Sequence, residues 1–182
     1  MILLIVDTQK KIYNEALYNF EHVTEVIERL IFLARKNHVE VVYVCHDDGE
    51  GSGCSYGDEG FEVYERFAPN DDEKIFIKEV NSAFHYKTGL LSYLKRKNEK
   101  DVIIVGMQTD LCIDATIKSG FENGLNMIIP LDGNTTKDNQ FISKDIIYRY
   151  FNESIWPIRY GKVMVLEDVI RMMESNDKNI LC

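Results

Sequence analysis

The sequence predicts an α/β protein: a three-layer, doubly wound sheet of about six parallel strands with helices on both faces, Rossmann-like in class. Three observations carry that prediction. Short apolar runs alternate along the chain with stretches of helical period. The runs 2–6 and 102–105 are apolar at every position, the pattern of strands buried on both faces of a parallel sheet. Charged or reactive residues follow the runs at their carboxyl ends, where open α/β sheets bind ligands.

The first strand is 2–6, closing on Asp7. Residues 21–36 then set Val23, Val26, Ile27, Leu30, Ile31 and Ala34 on one stripe, an amphipathic helix. Residues 39–45 form the second strand, ending at His46. Together these make a βαβ unit, which implies a parallel neighbour and a right-handed crossover.

The next stretch begins Asp47-Asp-Gly-Glu-Gly-Ser-Gly-Cys-Ser-Tyr and runs on to Asp72. It is glycine-rich and acidic. No Lys-Ser/Thr follows it and no helix starts directly after it, so it is not a phosphate cradle. A loop of this length is either a solvated connector or a lid over a site.

Residues 74–77 are a short third strand ending at Lys78, and 90–97 a helix. The central strand, 102–105, ends at Gly106 and meets a polar elbow, Gln108-Thr109-Asp110. Beyond it Cys112, Ala115, Ile117 and Phe121 recur at roughly helical spacing until Gly124 stops the run. Residues 125–130 are the fifth strand, followed by Asp132-Gly-Asn-Thr-Thr, a turn rich in hydrogen-bonding side chains. A helix over 143–150, a sixth strand at 163–166 and a closing helix at 167–173 complete the pattern. With 182 residues, no repeat and no linker, one domain over 1–182 is expected.

Composition narrows the class of function. A net charge of -9 argues against a nucleic-acid partner, which needs a basic face. No apolar run approaches the ~20 residues of a membrane span. Met-Ile-Leu-Leu-Ile-Val-Asp reads as a strand and not as a secretory leader. Cys45, Cys54, Cys112 and Cys182 form no CxxC pair and no small-domain framework, which fits free thiols in a reducing cytoplasm.

Cys112 falls at the first turn of a helix, just past the carboxyl end of a strand. Unpaired N–H groups and a partial positive charge there favour a thiolate, the nucleophilic form. The same N–H groups can hold an oxyanion. The competing reading is an inert core cysteine. Asp7 and Lys78 stand at the ends of two other strands, each with a bland alternative as a helix cap or a solvated strand end. If the strand ends converge, Asp7 can shuttle the thiol proton, Lys78 can hold the charge, and Cys112 can form a thioester that water clears.

Three motifs resemble those of the isochorismatase-like cysteine hydrolases, a superfamily that includes nicotinamidases, N-carbamoylsarcosine amidases and ureide hydrolases. They are Ile-Val-Asp7-Thr-Gln, Lys78-Glu-Val-Asn-Ser82-Ala-Phe84, and Gly106-Met-Gln-Thr-Asp-Leu-Cys112-Ile-Asp-Ala-Thr. The resemblance implies Asp7, Lys78 and Cys112 as a catalytic triad. It implies a cis peptide at Met107-Gln108, turning the Gln108 N–H, with that of Cys112, toward an oxyanion. Zinc-dependent relatives carry an Asp-x-His segment and a further His. This chain has Cys45-His46-Asp47-Asp48 and no later His before His85, so neither metal nor another cofactor is expected. His46 then reads as a pocket or structural residue.

His46, Phe84 and Gln108 are the candidate pocket residues. Phe61, Tyr64, Phe67 and Phe84 belong either to a pocket wall or to the core. Trp156 reads as an anchor packing the last helix against the sheet, with a subunit interface as its alternative. The implied activity is hydrolysis, with water, of a small amide, imide or ureide, in a cytoplasmic homodimer or homotetramer. A pocket formed by the 47–73 loop and a neighbouring subunit would set the substrate. The alternatives are a Rossmann-like small-molecule binding protein, against which stands the lack of G-x-G-x-x-G after strand one, and a redox-sensing thiol protein.

Overall fold

The strands β1 (Ile2–Val6), β2 (Glu40–His46), β3 (Lys74–Lys78), β4 (Asp101–Met107), β5 (Asn126–Pro130), β6 (Asn134–Thr135) and β7 (Lys162–Met164) form one sheet in a computed structural model that describes residues 1–178. Cys182 lies outside the described residues. The strand order is β3-β2-β1-β4-β5-β7, with β6 paired to β4, and every ladder pairing is parallel. The order reverses between β1 and β4, so the crevice where such sheets bind ligands opens past Val6 and Met107.

The alternation of strand side chains divides the core in two. Leu3, Ile5 and Tyr43 face α1 (Phe20–Lys36) and α6 (Leu166–Lys178). Ile2, Leu4, Val6 and Val44 face α2 (Leu90–Arg96), α3 (Asp114–Glu122) and Trp156. Two short helices, α4 (Lys144–Arg149) and α5 (Trp156–Arg159), flank a π-type segment, Tyr150–Ile155. Burying each large aliphatic side chain contributes about 1.5–3 kcal/mol, so the two faces anchor the sheet from both sides. Among the described residues no helix is long and apolar enough to cross a membrane.

Three differences from the sequence-based expectation have physical causes. The turn after the fifth strand contains a seventh strand, β6, because Gly106 and Met107 pair with Asn134 and Thr135. The elbow before α3 is a π-type turn, Thr109–Ile113, in which Ile113 N–H donates to Gln108 O, five residues back. That wider turn shifts the phase of the helix: Ile113, Thr116, Ile117 and Gly120 are buried, whereas Phe121 is 42% exposed. Finally, the 47–73 segment is stapled to the extension of β1. Tyr64 N–H donates to Thr8 O, Lys10 N–H to Glu62 O and Lys11 N–H to Gly60 O. Its Phe67 and Tyr64 pack with Tyr13 in the first core, so these rings are core and not pocket wall.

Candidate active site

Four neighbouring strands deliver their ends to one place. Lys78 closes β3 in register with His46, which closes β2; Asp7 follows β1; and β4 leads into the elbow that carries Cys112. Asp7 has left-handed backbone (φ 54), a conformation Asp tolerates better than most residues. Its N–H still donates to Val44 O, so the chain turns while remaining tied to β2. Gly106 sets the close approach of β4 to β1: at φ +122, a Cβ there would lie 2.0 Å from Val6 O. The Met107-Gln108 peptide is cis.

The buried Lys78 ammonium has three protons and three acceptors. Nζ donates to Asp7 Oδ2 at 2.7 Å, to His46 Nδ1 at 2.9 Å and to Cys112 Sγ at 3.3 Å. An acceptor Nδ1 leaves the imidazole proton on Nε2, which lies 3.3 Å from Asp48 Oδ1. Asp7 Oδ1 is buried with no hydrogen-bond partner. The Asp7 carboxylate and the Cys112 sulfur lie within 4.8 Å of each other, which keeps the carboxylate within reach of that thiol, while the thiol itself donates to Asn81 Oδ1 at 3.8 Å.

The electrostatics correct one expectation. Burial pushes the Cys112 thiol up to about 12, and the Asp7 charge adds to the shift, while Lys78 opposes it. The resting group is therefore a neutral thiol and not the easily formed thiolate expected of a helix N-terminus. Removal from water and the Asp7 charge outweigh the opposing Lys78 ammonium. Burial also raises Asp7 above its usual carboxylate value, with Lys78 the main opposing influence. A carboxylate raised in this way is a better base toward the thiol beside it.

Asp7, His46 and Cys112 are close enough to share a metal ion. The Lys78 ammonium, bonded to all three, already supplies the positive charge among them. A divalent cation would have to displace it, so the donor set fits an ammonium better than a metal.

A cavity of about 200 Å³ opens onto Cys112 and is lined by Asp7, His46 and Gln108. Ile12, Met107 and Leu111 supply its apolar wall, and Asp48 and Asn81 its outer polar groups. It is smaller than the ~300–1,000 Å³ of pockets for drug-sized ligands. Phe84 does not line it. That ring is buried in the second core beside Gly120, and the neighbouring Ala83 N–H donates to Thr116 Oγ1 of α3 at 3.0 Å. The Ser82-Ala-Phe84 segment thus locks the strand carrying Lys78 to the helix behind Cys112.

Two supporting groups escaped the sequence reading. Gln9 is fully buried; its Nε2 donates to His46 O and its Oε1 accepts from His46 N–H, both at 2.8 Å. On the other flank, Thr109 Oγ1 donates to Asn134 Oδ1 at 2.7 Å, and the Asn134 and Asn152 amides bond reciprocally at 2.9 and 3.1 Å. Thr136 Oγ1 donates to Asp110 Oδ1 at 2.6 Å. The polar turn at 132–136 was visible as a signal, but nothing in the sequence pointed to Asn152 as its partner. Trp156 Nε1 donates to Asp114 Oδ1 at 3.0 Å, at the start of α3; the ring fills the second core, on the opposite sheet face from α6, so it anchors α3 and not the closing helix.

Residues 1–152 match the family model described as the isochorismatase domain. The chain is 29% identical over 128 residues to the uncharacterized isochorismatase family protein YddQ of Bacillus subtilis (strain 168), covering 67% of this chain and 70% of that one. It is 25% identical over 138 residues to streptothricin hydrolase of Streptomyces noursei, covering 75% of this chain and 50% of the other. Among solved structures it resembles a cysteine hydrolase from Pseudomonas syringae pv. phaseolicola 1448A, with a TM-score of 0.87 and 26% identity over 96% of this chain and 92% of that one.

Proposed function

This chain belongs to the isochorismatase family of hydrolases, and we propose that it is a metal-independent cysteine hydrolase of a small amide, imide or ureide, acting through a thioester. The observation that carries the reading is the closed set of contacts around Lys78, together with the unpartnered Asp7 Oδ1. The similarity to a streptothricin hydrolase and to a cysteine hydrolase supports hydrolysis.

In this reading Cys112 Sγ attacks the substrate carbonyl carbon as its proton passes to Asp7 Oδ1. A neutral thiol is deprotonated only as the C–S bond forms, so charge develops where the site is built to receive it. The N–H groups of Gln108 and Cys112 hold the oxyanion, and Lys78 balances the negative charge beside it. Collapse breaks the C–N bond, and the amine leaves with the proton from Asp7. Water, deprotonated by Asp7, then cleaves the thioester to release the acid and restore the thiol. A homodimer or homotetramer working in the cytoplasm is part of the same proposal; the free thiols Cys45, Cys54 and Cys112 support a reducing compartment.

The test is ammonia or amine release from a panel of small amides, imides and ureides, with acyl-enzyme capture by intact-mass spectrometry. The Cys112→Ala variant is expected to lose turnover by about 10⁴-fold or more and to give no adduct. Turnover that survives in Cys112→Ala would overturn the proposal.

A further inference from the structure

We infer that Asp48 selects a cationic substrate: a small amide or ureide carrying an ammonium, amidinium or guanidinium group a few bonds from the carbonyl that Cys112 attacks. The inference rests on the proposed hydrolase reading for the identity of the attacked group, and on the charges around the cavity for the rest.

The Asp7 carboxylate is paired with the buried Lys78 ammonium, and all three Lys78 protons are committed, so that pair presents no net charge to a ligand. Cys112 rests as a neutral thiol. His46 Nδ1 accepts from Lys78, so that ring nitrogen carries no proton, and its Nε2 lies 3.3 Å from Asp48 Oδ1. Asn81, Gln108, Ile12, Met107 and Leu111 carry no charge. Asp48 remains as the one lining group whose formal charge no cation among the described residues balances.

Its place suits recognition. The Asp48 side chain is 48% exposed, enough to meet a ligand, while its N–H is held by Cys54 O at 3.2 Å. The carboxylate stands one imidazole ring and one ion-pair distance beyond the catalytic cluster, with the apolar wall of Ile12 and Leu111 also lining the cavity. Its neighbour Asp47 is held ionised by hydrogen bonds from Gly49 N–H, Ser55 Oγ and Tyr56 N–H, and adds to the negative field at the mouth. Lys11, the basic side chain that reaches into this loop, gives its ammonium to Ser52 O.

The potential at the thiol can be read without knowing the substrate. Cys112 is alkylated with (2-bromoethyl)trimethylammonium, iodoacetamide and iodoacetate, each rate being divided by that of 2-mercaptoethanol and read by peptide mass spectrometry. Wild type is expected to rank cationic over neutral over anionic, with about tenfold between the ends. Added salt should compress that range. Asp48→Asn should lower the cationic-to-neutral ratio about threefold, bringing the two rates together, and Asp48→Glu should restore part of it. A faster reaction with iodoacetate than with the cation, or a ratio that Asp48→Asn leaves untouched, would overturn the inference. A matched series of amides with cationic, neutral and anionic tails separates the two claims. Turnover of none of them condemns the hydrolase reading while the alkylation ranking still stands, whereas preferred turnover of the anionic member condemns only the role of Asp48.

Discussion

Two buried polar clusters flank Cys112, and they are built on opposite principles. On the β1-β2-β3 side Asp7, Lys78 and His46 form an ionic cluster with a buried, unpartnered carboxylate oxygen. On the β4-β6 side Thr109, Asn134 and Asn152 form a neutral network that closes on itself through reciprocal amide bonds. Apart from the partly exposed His46, both are almost wholly removed from water. The neutral network satisfies its groups and holds the elbow; it has no proton to move at ordinary pH. The ionic cluster keeps one acceptor open and two groups displaced upward in pKa. An incomplete cluster costs stability but can exchange a proton with a substrate, whereas a complete one contributes rigidity.

Removing Lys78 should break the comparison most severely. Lys78→Met leaves the Asp7 carboxylate buried without its cation, at a cost of about 3–5 kcal/mol while it stays ionised. Lys78 is the main influence lowering the Asp7 pKa, so its loss raises that pKa further. In the proposed mechanism activity needs the ionised carboxylate, so kcat should fall at least ~10²-fold at neutral pH and the acid limb of the profile should move to higher pH. The same sign governs stability. A carboxyl group raised in the folded state contributes stability below its unfolded pKa and loses it as pH rises through the folded one. Thermal unfolding of the variant should therefore recover toward mildly acidic pH. An acid limb that stays in place would remove Asp7 as the titrating base.

A smaller and different loss is expected on the neutral side. Asn134→Leu strands the Thr109 hydroxyl and the Asn152 amide oxygen, while Asn152 Nδ2 keeps Tyr148 O, costing about 2–4 kcal/mol. The melting temperature should drop while the acid limb stays where it is, because no charge has changed. A shift of that limb would mean the two clusters are coupled through Cys112. The smallest effect is expected at Trp156. Trp156→Phe gives up the bond to Asp114, which keeps Lys118 as a partner, and should cost about 1–2 kcal/mol. Turnover within twofold of wild type would mark it as an anchor; a larger loss would tie the start of α3 to the elbow.

Asp7 and Lys78 of the ionic cluster were legible in the chain as converging charges, His46 only as a pocket or structural residue, and the neutral cluster not at all, for a definite reason. Asp7, His46 and Lys78 each end an apolar run, and a parallel sheet brings strand ends together whatever their separation in sequence. Asn134 and Asn152 end nothing of that kind. Asn152 lies in a helical stretch, where an inward amide looks no different from an outward one until its partner is in place. The same limit applies to Phe84, whose motif was visible but whose ring fills the core behind α3. It applies as well to β6, which exists only because Asn134 and Thr135 lie against Gly106 and Met107.

What the sequence determined by itself is the body of the sheet: which apolar runs are strands, β6 apart, that they run parallel, and which side chains stand at their carboxyl ends. These follow from local apolar pattern and from the connections between elements. What the tertiary structure decided is the state of those side chains. Asp7 and Lys78 are 71 residues apart in sequence and 2.7 Å apart in space. The protonation of Cys112, the imidazole tautomer at His46 and the unbalanced charge of Asp48 all depend on burial and on such long-range distances. No run of residues encodes these, because a pKa is set by what surrounds a group in three dimensions and by how much water is left there.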